Sequence, residues 1–137
     1  MKRLAVISLL VLAGFCTTGI AQAQNRGVRA NIPFDFVIAG KHLPAGEYQF
    51  LTQSNQAFLI RNINQPIAVL SMSRRTDSAR AGSSYVVFNK YGDSYFLSEI
   101  HSSAIAVDAG FSQSKQEKQL RQQMAWLGPD QVLLALK

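Results

Sequence analysis

Residues 28–38 have the sequence VRANIPFDFVI, in which apolar and polar side chains alternate. Every even position is apolar, and the odd positions include Arg29, Asn31 and Asp35. Alternation with a period of two residues is typical of a β-strand that buries one face and exposes the other. Pro33 has no amide hydrogen to donate to a neighbouring strand, so we expect this strand to lie at a sheet edge or to be broken there.

Similar short strands are predicted along most of the chain beyond this stretch. Turn residues separate them, and the predicted strands are 47–52, 57–61, 67–73, 84–89, 94–101, 104–107 and 131–137. About eight strands with turns roughly every 8–12 residues predict a mainly β fold, a small antiparallel barrel or sandwich. A last strand that returns beside the first would close the sheet, which favours a small barrel, complete or incomplete, over an open sandwich.

The clearest hairpin is predicted between residues 84 and 101. Lys90 and Tyr91 are suited to a type I turn, with Gly92 in the left-handed position of a three-residue loop. Apolar side chains occupy both faces of the two flanking strands. We therefore expect these strands to be central and covered on both sides.

One helix is predicted near the C-terminus. Ser114 and Glu117 have the spacing of a capping box, in which the Ser hydroxyl accepts from the Glu amide and the Glu side chain reaches back. The apolar side chains that follow at helical spacing are Leu120, Met124 and Leu127. This narrow stripe predicts a helix that packs on the sheet. Gly128 and Pro129 end the helix, and the last strand follows.

The N-terminus has the three parts of a secretory signal peptide, residues 1–23. A short basic segment precedes an uncharged apolar stretch that ends at Cys16, and small residues follow. Ala21 and Ala23 have the small side chains that signal peptidase requires, so we expect cleavage between Ala23 and Gln24.

Two membrane-attached alternatives exist for this leader, an uncleaved anchor and a lipid anchor. An uncleaved anchor would need roughly 20 apolar residues, and the apolar stretch is shorter. A lipid anchor on Cys16 would need a small residue before it, where the bulky Phe15 stands. Cleavage fits best, and Gly19 with Ala21 gives a second cleavage pattern two residues earlier. We expect export to the periplasm or the extracellular space, with no transmembrane segment after cleavage.

Cleavage would leave a tail at 24–27, expected to be disordered, and a single β-rich domain at 28–137. The full chain has 14 basic and 8 acidic residues and a net charge of +6, and loss of Lys2 and Arg3 would lower the charge to +4. Cys16 is the only cysteine. The mature domain would therefore have neither a disulfide nor a cysteine nucleophile.

Three segments carry a resemblance to known proteins. They are IPFDF at 32–36, LPAGEY at 43–48 and YGDSYFL at 91–97. Together with the helix start at Ser114 and Glu117, they resemble a group of short exported bacterial β-rich proteins. The resemblance spans most of the mature chain and implies export and one domain. It implies no activity, cofactor or functional residue, because the group has none assigned.

The sequence contains no motif typical of an enzyme or a metal site. His42 and His101 are far apart and lack the spacing of a zinc motif, and we expect both to be solvated. Ser98, His101 and Asp108 could form a hydrolase triad, but no Gly-x-Ser-x-Gly elbow supports it. We expect a protein that is not an enzyme and has no cofactor or metal, with a hydrolase kept as an alternative.

Binding is therefore the expected function, as an interaction module of the cell envelope. Arg74, Arg75 and Arg80 lie in a stretch predicted to be a mobile loop, where they could meet an anionic envelope component. A solvated loop without a partner is the plain alternative. Export leaves no cytoplasmic nucleic acid to bind. A small barrel could also carry an apolar ligand. The aromatic side chains that would line such a pocket, or fill a core, are Phe34, Phe36, Tyr48, Phe50, Phe58, Phe88 and Phe96.

Overall fold

The computed structural model describes residues 27–77 and 82–137, which form a mainly β fold with one helix. In chain order the strands are β1 (Gly27–Ile32), β2 (Phe36–Ile38), β3 (Lys41–Leu43), β4 (Gly46–Ser54), β5 (Ala57–Asn62), β6 (Ala68–Arg75), β7 (Tyr85–Tyr91), β8 (Ser94–Ser102), β9 (Val107–Phe111) and β10 (Asp130–Ala135). Helix α1 (Lys115–Gln123) lies between β9 and β10. The prediction of a β fold with one late helix and a final strand is confirmed.

The alternating stretch at 28–38 forms two strands, because Pro33 interrupts it between β1 and β2. Its even positions in these two strands are buried in the main core, as the alternation predicted. Gly27 pairs with Leu51 of β4, so it belongs to β1 and not to the expected disordered tail. The predicted signal peptide and residues 24–26 lie outside the described residues.

The strands form one mixed sheet. Its order begins β1-β4-β5-β6-β9-β8 and branches at β8. One branch continues from β8 to β7 and β10, and the other continues from β8 to β2 and β3. The β2–β8 pairing is parallel, at Val37 and Phe96, whereas the other ladders are antiparallel. Within residues 27–77 and 82–137, no ladder closes the sheet into the favoured barrel, and the arrangement is sandwich-like. Lys137 nevertheless exchanges two backbone hydrogen bonds with Arg29, at 3.0 and 2.8 Å.

The main core lies between the inner faces of the folded sheet. Its largest fully buried side chains include Tyr48, Phe36, Phe50, Phe58 and Phe88. Phe36 packs edge-on against Tyr48 and Phe88, with ring centroids 5.1 and 5.4 Å apart. Burial of each such side chain contributes roughly 1.5–3 kcal/mol, which makes this cluster the main source of stability.

Helix α1 covers the outer face of the sheet at β2, β7 and β8. Leu120 and Met124 pack against a second buried cluster, whose members are Val37, Tyr91 and Phe96. The predicted hairpin is therefore covered on both sides at its turn end, which is part of what was expected. Leu127 is 59% exposed, so the third residue of the predicted stripe does not join the packing.

The helix begins at the predicted N-cap, since the Ser114 hydroxyl accepts from the Glu117 amide at 3.1 Å. The carboxylate of Glu117 does not complete the expected capping box. It lies buried between helix and sheet, where its Oε1 atom accepts from Asn89 at 3.1 Å and from Tyr91 at 3.5 Å. Donors on β7 thus hold this carboxylate against the sheet.

Two turns differ from the predicted ones. Tyr91 pairs with Ser94, so the β7–β8 loop has two residues, and Gly92 has the positive φ of +61° that a type II′ turn requires at its first position. The strand predicted at 104–107 begins later in the structure, as β9 at Val107. The chain turns before this strand, where Ala106 has a φ of +51°.

Candidate functional site

Arg74 and Arg75 are not in a loop, contrary to the sequence prediction. They are the last residues of β6 and pair with Gly110 and Ala109 of β9. The strand extends further than its sequence indicated, because β9 provides backbone partners for these polar residues. Arg80, the third predicted member of the anion-binding loop, lies outside the described residues.

Both arginines line a cleft of about 610 Å³ at one end of the sheet, hereafter the end cleft. It lies between the β4–β5 turn, the end of β6 and the start of β9. Its lining residues are Thr52, Ser54, Asn55, Gln56, Phe58, Arg74, Arg75, Ile105, Ala106, Val107, Asp108 and Ala109. The cleft thus combines an apolar wall, several hydrogen-bonding groups and charge.

Thr52 provides a buried polar atom in the wall of the end cleft. Its position on β4 pairs with Phe58 of β5, a core residue. The Oγ1 atom of Thr52 is buried and has no hydrogen-bond partner in the structure. A buried hydroxyl without a partner costs roughly 1–3 kcal/mol, so such an atom needs a physical reason.

A second polar group lies on the outer face of β8 and β9, and we call it the outer trio: Glu99, His101 and Asp108. The Nδ1 atom of His101 lies 2.9 Å from Oδ1 of Asp108, and its Nε2 atom lies 2.8 Å from Oε2 of Glu99. The His101 side chain is only 1% exposed, and its ring lies 4.8 Å from that of Tyr85. The expectation of a solvated histidine at position 101 is therefore wrong, whereas His42 on β3 is exposed.

The outer trio brings together two members of the hypothetical hydrolase triad but not the third. His101 and Asp108 are hydrogen-bonded, while the Nε2 atom that would activate a nucleophile contacts the carboxylate of Glu99. Ser98 lies at the register shift between β7 and β8, where Glu99 and Leu97 pair with consecutive residues of β7. Both ring nitrogens of His101 have carboxylate partners, so neither is available to activate a serine hydroxyl.

Glu99 was missed by sequence reasoning, although a signal for it exists. Residues two apart on a strand point to the same face, so Glu99 and His101 are neighbours on β8 by spacing alone. His101 also pairs directly with Asp108 across the β8–β9 connection. Glu99 two residues before His101 on the same strand, with Asp108 just beyond the turn, is the pattern that indicates the outer trio.

Two further observations concern metal binding and membrane spanning. Over residues 27–77 and 82–137, no three histidine, cysteine or carboxylate side chains are grouped so that they could hold a metal ion. In the same ranges, no helix has the length and apolar character needed to cross a membrane.

Comparison with known proteins gives no relative from which a role could be transferred. No protein-family model matches the chain, and searches of curated proteins and of solved structures find no significant match. The functional argument therefore rests on the geometry of the chain itself.

Proposed function

We propose that this protein is an exported, non-enzymatic binding module that holds a small amphiphilic anion in the end cleft. The observation that carries the proposal is the unpartnered hydroxyl of Thr52 in a cleft that also presents two adjacent arginines. A ligand oxygen would satisfy this buried hydroxyl once the side chains that cover it shift on binding, and the two arginines would meet the charge of the ligand head group.

The charge of the end cleft favours an anion. Arg74 and Arg75 line the cleft with one carboxylate, Asp108, whose Oδ1 atom already has His101 as its partner. Guanidinium groups form paired, charge-assisted hydrogen bonds with carboxylates and phosphates. A ligand with such a head group would find two donors at the rim of the cleft.

The apolar lining of the end cleft favours a ligand that also has an apolar part. Phe58, Ile105 and Val107 line the cleft, and all three pack with the main core. A volume of about 610 Å³ lies in the range of roughly 300–1,000 Å³ that is usual for small-molecule sites. An alkyl or aryl group could lie on this wall while the head group meets the arginines.

The packing of the interior supports the end cleft over the alternative of an apolar ligand inside the sheet. Phe34 packs edge-on against Phe88 at 5.1 Å, and Phe58 packs against Phe111 at 5.8 Å. With the contacts of Phe36, these rings form a continuous cluster. Side chains in mutual contact fill the space that a carried ligand would need.

The proposed location follows from the predicted leader at 1–23, which supports a periplasmic or extracellular protein. Amphiphilic anions are abundant in the bacterial envelope as lipid and glycolipid head groups with acyl chains. An envelope location would therefore give the end cleft access to ligands of the proposed class.

The experiment titrates the mature protein with monomeric dodecyl phosphate. Two comparison ligands are inorganic phosphate, which lacks the alkyl chain, and dodecyl maltoside, which lacks the charge. We expect saturable binding of dodecyl phosphate and much weaker binding of either comparison ligand. Arg75→Gln should weaken binding about tenfold, the usual value of a charged hydrogen bond. Lys118→Gln, which removes the same charge from exposed α1, should leave it unchanged.

Equal binding by the Arg75→Gln variant and the parent protein would overturn the proposal, as would equal affinity for all three ligands. Native mass spectrometry of protein from its own host would identify the retained ligand. A mass increment from an amphiphilic anion that is lost in Arg75→Gln would support the proposal.

A further inference from the structure

The outer face of β1, β4, β5 and β6 has two adjacent rows of side chains in register. One row crosses the strands at Gly27, Leu51, Leu59 and Leu70. The next row crosses them at Arg29, Gln49, Arg61 and Ala68. The rows are two residues apart on each strand, so both lie on the same face, which we call the basic-apolar face.

The apolar part of this face is exposed on β6. Leu70 is 61% exposed and Met72 is 63% exposed, while Val69 and Ser71, which alternate with them along β6, are buried. Leu59 of the neighbouring strand is half-buried. Leu70 and Met72 are neighbours on one face of the strand, and adjacent exposed apolar side chains of this size can form part of an interaction surface.

The basic part of the face is partly pre-organised. The Nη2 atom of Arg61 donates to Oε1 of Gln49 at 2.7 Å, and Arg29 lies on the other side of Gln49 in the same row. The two arginines are two strand spacings apart, about 10 Å. They border a shallow cleft of about 470 Å³, and none of the described residues that line it is acidic.

The net charge of the face is positive. Arg29 and Arg61 supply this charge, whereas Arg74, two residues beyond Met72 on the same side of β6, lies at the end cleft beside the outer trio. Among the described residues of these four strands, Glu47 is the carboxylate that points outward, two residues before Gln49 and opposite Asn31. A partner for this face must therefore offer negative charge and apolar groups together.

We propose that the basic-apolar face binds the surface of an anionic lipid bilayer. Arginines on strands about 10 Å apart can each pair with a different lipid phosphate, and the Leu70 and Met72 side chains can enter the boundary between head groups and acyl chains. A symmetric pairing with a second copy of the chain would bring two faces of net positive charge together. The lipid surface supplies both required features, and this inference does not depend on the end cleft.

The test measures co-sedimentation of the mature protein with vesicles of phosphatidylcholine alone or with 30% phosphatidylglycerol. We expect binding to the anionic vesicles only, with loss at high salt. Each arginine near an anionic surface accounts for roughly a fivefold change in partition, so Arg29→Gln with Arg61→Gln should lower it about 25-fold. Leu70→Ser with Met72→Ser should lower it at least about fivefold.

The matched control is Lys115→Gln with Lys118→Gln, which removes two charges from α1 on another part of the surface. It should change the partition by less than about twofold, because salt screens charges that are distant from the bilayer. All altered residues are exposed, and thermal unfolding would verify that each variant is folded.

Equal binding to both vesicle types would overturn the inference, and so would equal losses in the arginine variant and the lysine control. Sedimentation velocity provides the remaining outcome. A dimer that Leu70→Ser with Met72→Ser abolishes, without lipid binding, would identify the face as a contact between copies of the chain and would overturn the lipid assignment.

Discussion

His101 and Asp108 face each other across the β8–β9 ladder, with Nδ1 and Oδ1 2.9 Å apart. Asp108 also lines the end cleft, so its carboxylate belongs to both the outer trio and the end cleft. The second ring nitrogen of His101 contacts Glu99, and the ring itself is buried. His101 therefore fixes the position of a charged group in the cleft wall without reaching the cleft.

Replacement of His101 by alanine should lower the free energy of unfolding by about 2–4 kcal/mol. The variant loses a buried ring and the two hydrogen bonds that join this ring to the carboxylates of Glu99 and Asp108. Urea denaturation of the mature protein measures the change. His42→Ala is the matched control, because His42 is exposed and should contribute little. Similar losses in both variants would contradict a stabilising role of the outer trio.

Glu117 should make the protein less stable as the pH rises above the ordinary glutamate value of 4.5. Burial raises the pKa of Glu117, and hydrogen bonds from Asn89 and Tyr91 and the charge of Arg121 oppose this shift only in part. The folded protein therefore keeps a proton that the unfolded chain releases. This stability is fully present below the unfolded pKa and is lost as the pH rises through the folded pKa.

The free energy of unfolding, measured from roughly pH 4 to pH 8, tests this dependence. Glu117→Gln cannot titrate and can still accept from Asn89, so its stability should fall less over this range than that of the parent. Glu47→Gln controls for the removal of one carboxyl group from the sheet surface. An unchanged difference between parent and Glu117→Gln across the whole range would show that Glu117 is not the titrating group.

Thr52→Val should raise stability and weaken ligand binding at the same time. Valine has the shape of threonine without its hydroxyl, so removal of the buried, unpartnered Oγ1 should raise the free energy of unfolding by about 1 kcal/mol. Binding of dodecyl phosphate should fall, because the ligand loses a partner. Thr52→Ser, which keeps the hydroxyl, should retain binding and lose some stability. Retained binding by Thr52→Val would remove Thr52 from the proposed site.

Ala39→Asn should stabilise the β2–β3 hairpin by about 0.5–1 kcal/mol. Ala39 and Gly40 connect these strands with φ angles of +50° and +74°, as a type I′ turn requires. Alanine is strained there, whereas asparagine tolerates the left-handed region. Ala104→Asn, at an exposed turn position, should not raise the midpoint temperature of thermal unfolding. Equal shifts in both variants would mean that the turn geometry is not the cause.

Local patterns predicted much of the fold. Alternation placed the even residues of 28–38 in the core, and the Ser114 hydroxyl caps the helix as its spacing indicated. These features depend on neighbours in the chain, so the sequence contains the information directly. The end of β6 was missed because Arg74 and Arg75 form strand only where β9 pairs with them. The carboxylate of Glu117 was misplaced because its donors lie on β7.

The candidate site could be predicted only in fragments. Arg74 and Arg75 were identified from charge, but the cleft around them combines three segments distant in sequence. Hydrogen bonding between His101 and Asp108 was considered, yet the partner on the other nitrogen is Glu99 and not Ser98. The position of a side chain within a strand follows from spacing, whereas its partner across strands depends on register.

By itself the sequence determined the β class of this protein, the break at Pro33, the late capped helix and the cysteine-free composition of residues 24–137. Periodicity, proline geometry and capping act over a few residues, so no distant contact is needed to establish them. Only the tertiary structure decided which strands are neighbours, that the sheet remains open, and that the end cleft, the outer trio and the basic-apolar face exist. Each of these depends on register between strands far apart in the chain, which is set by the packing of the whole core.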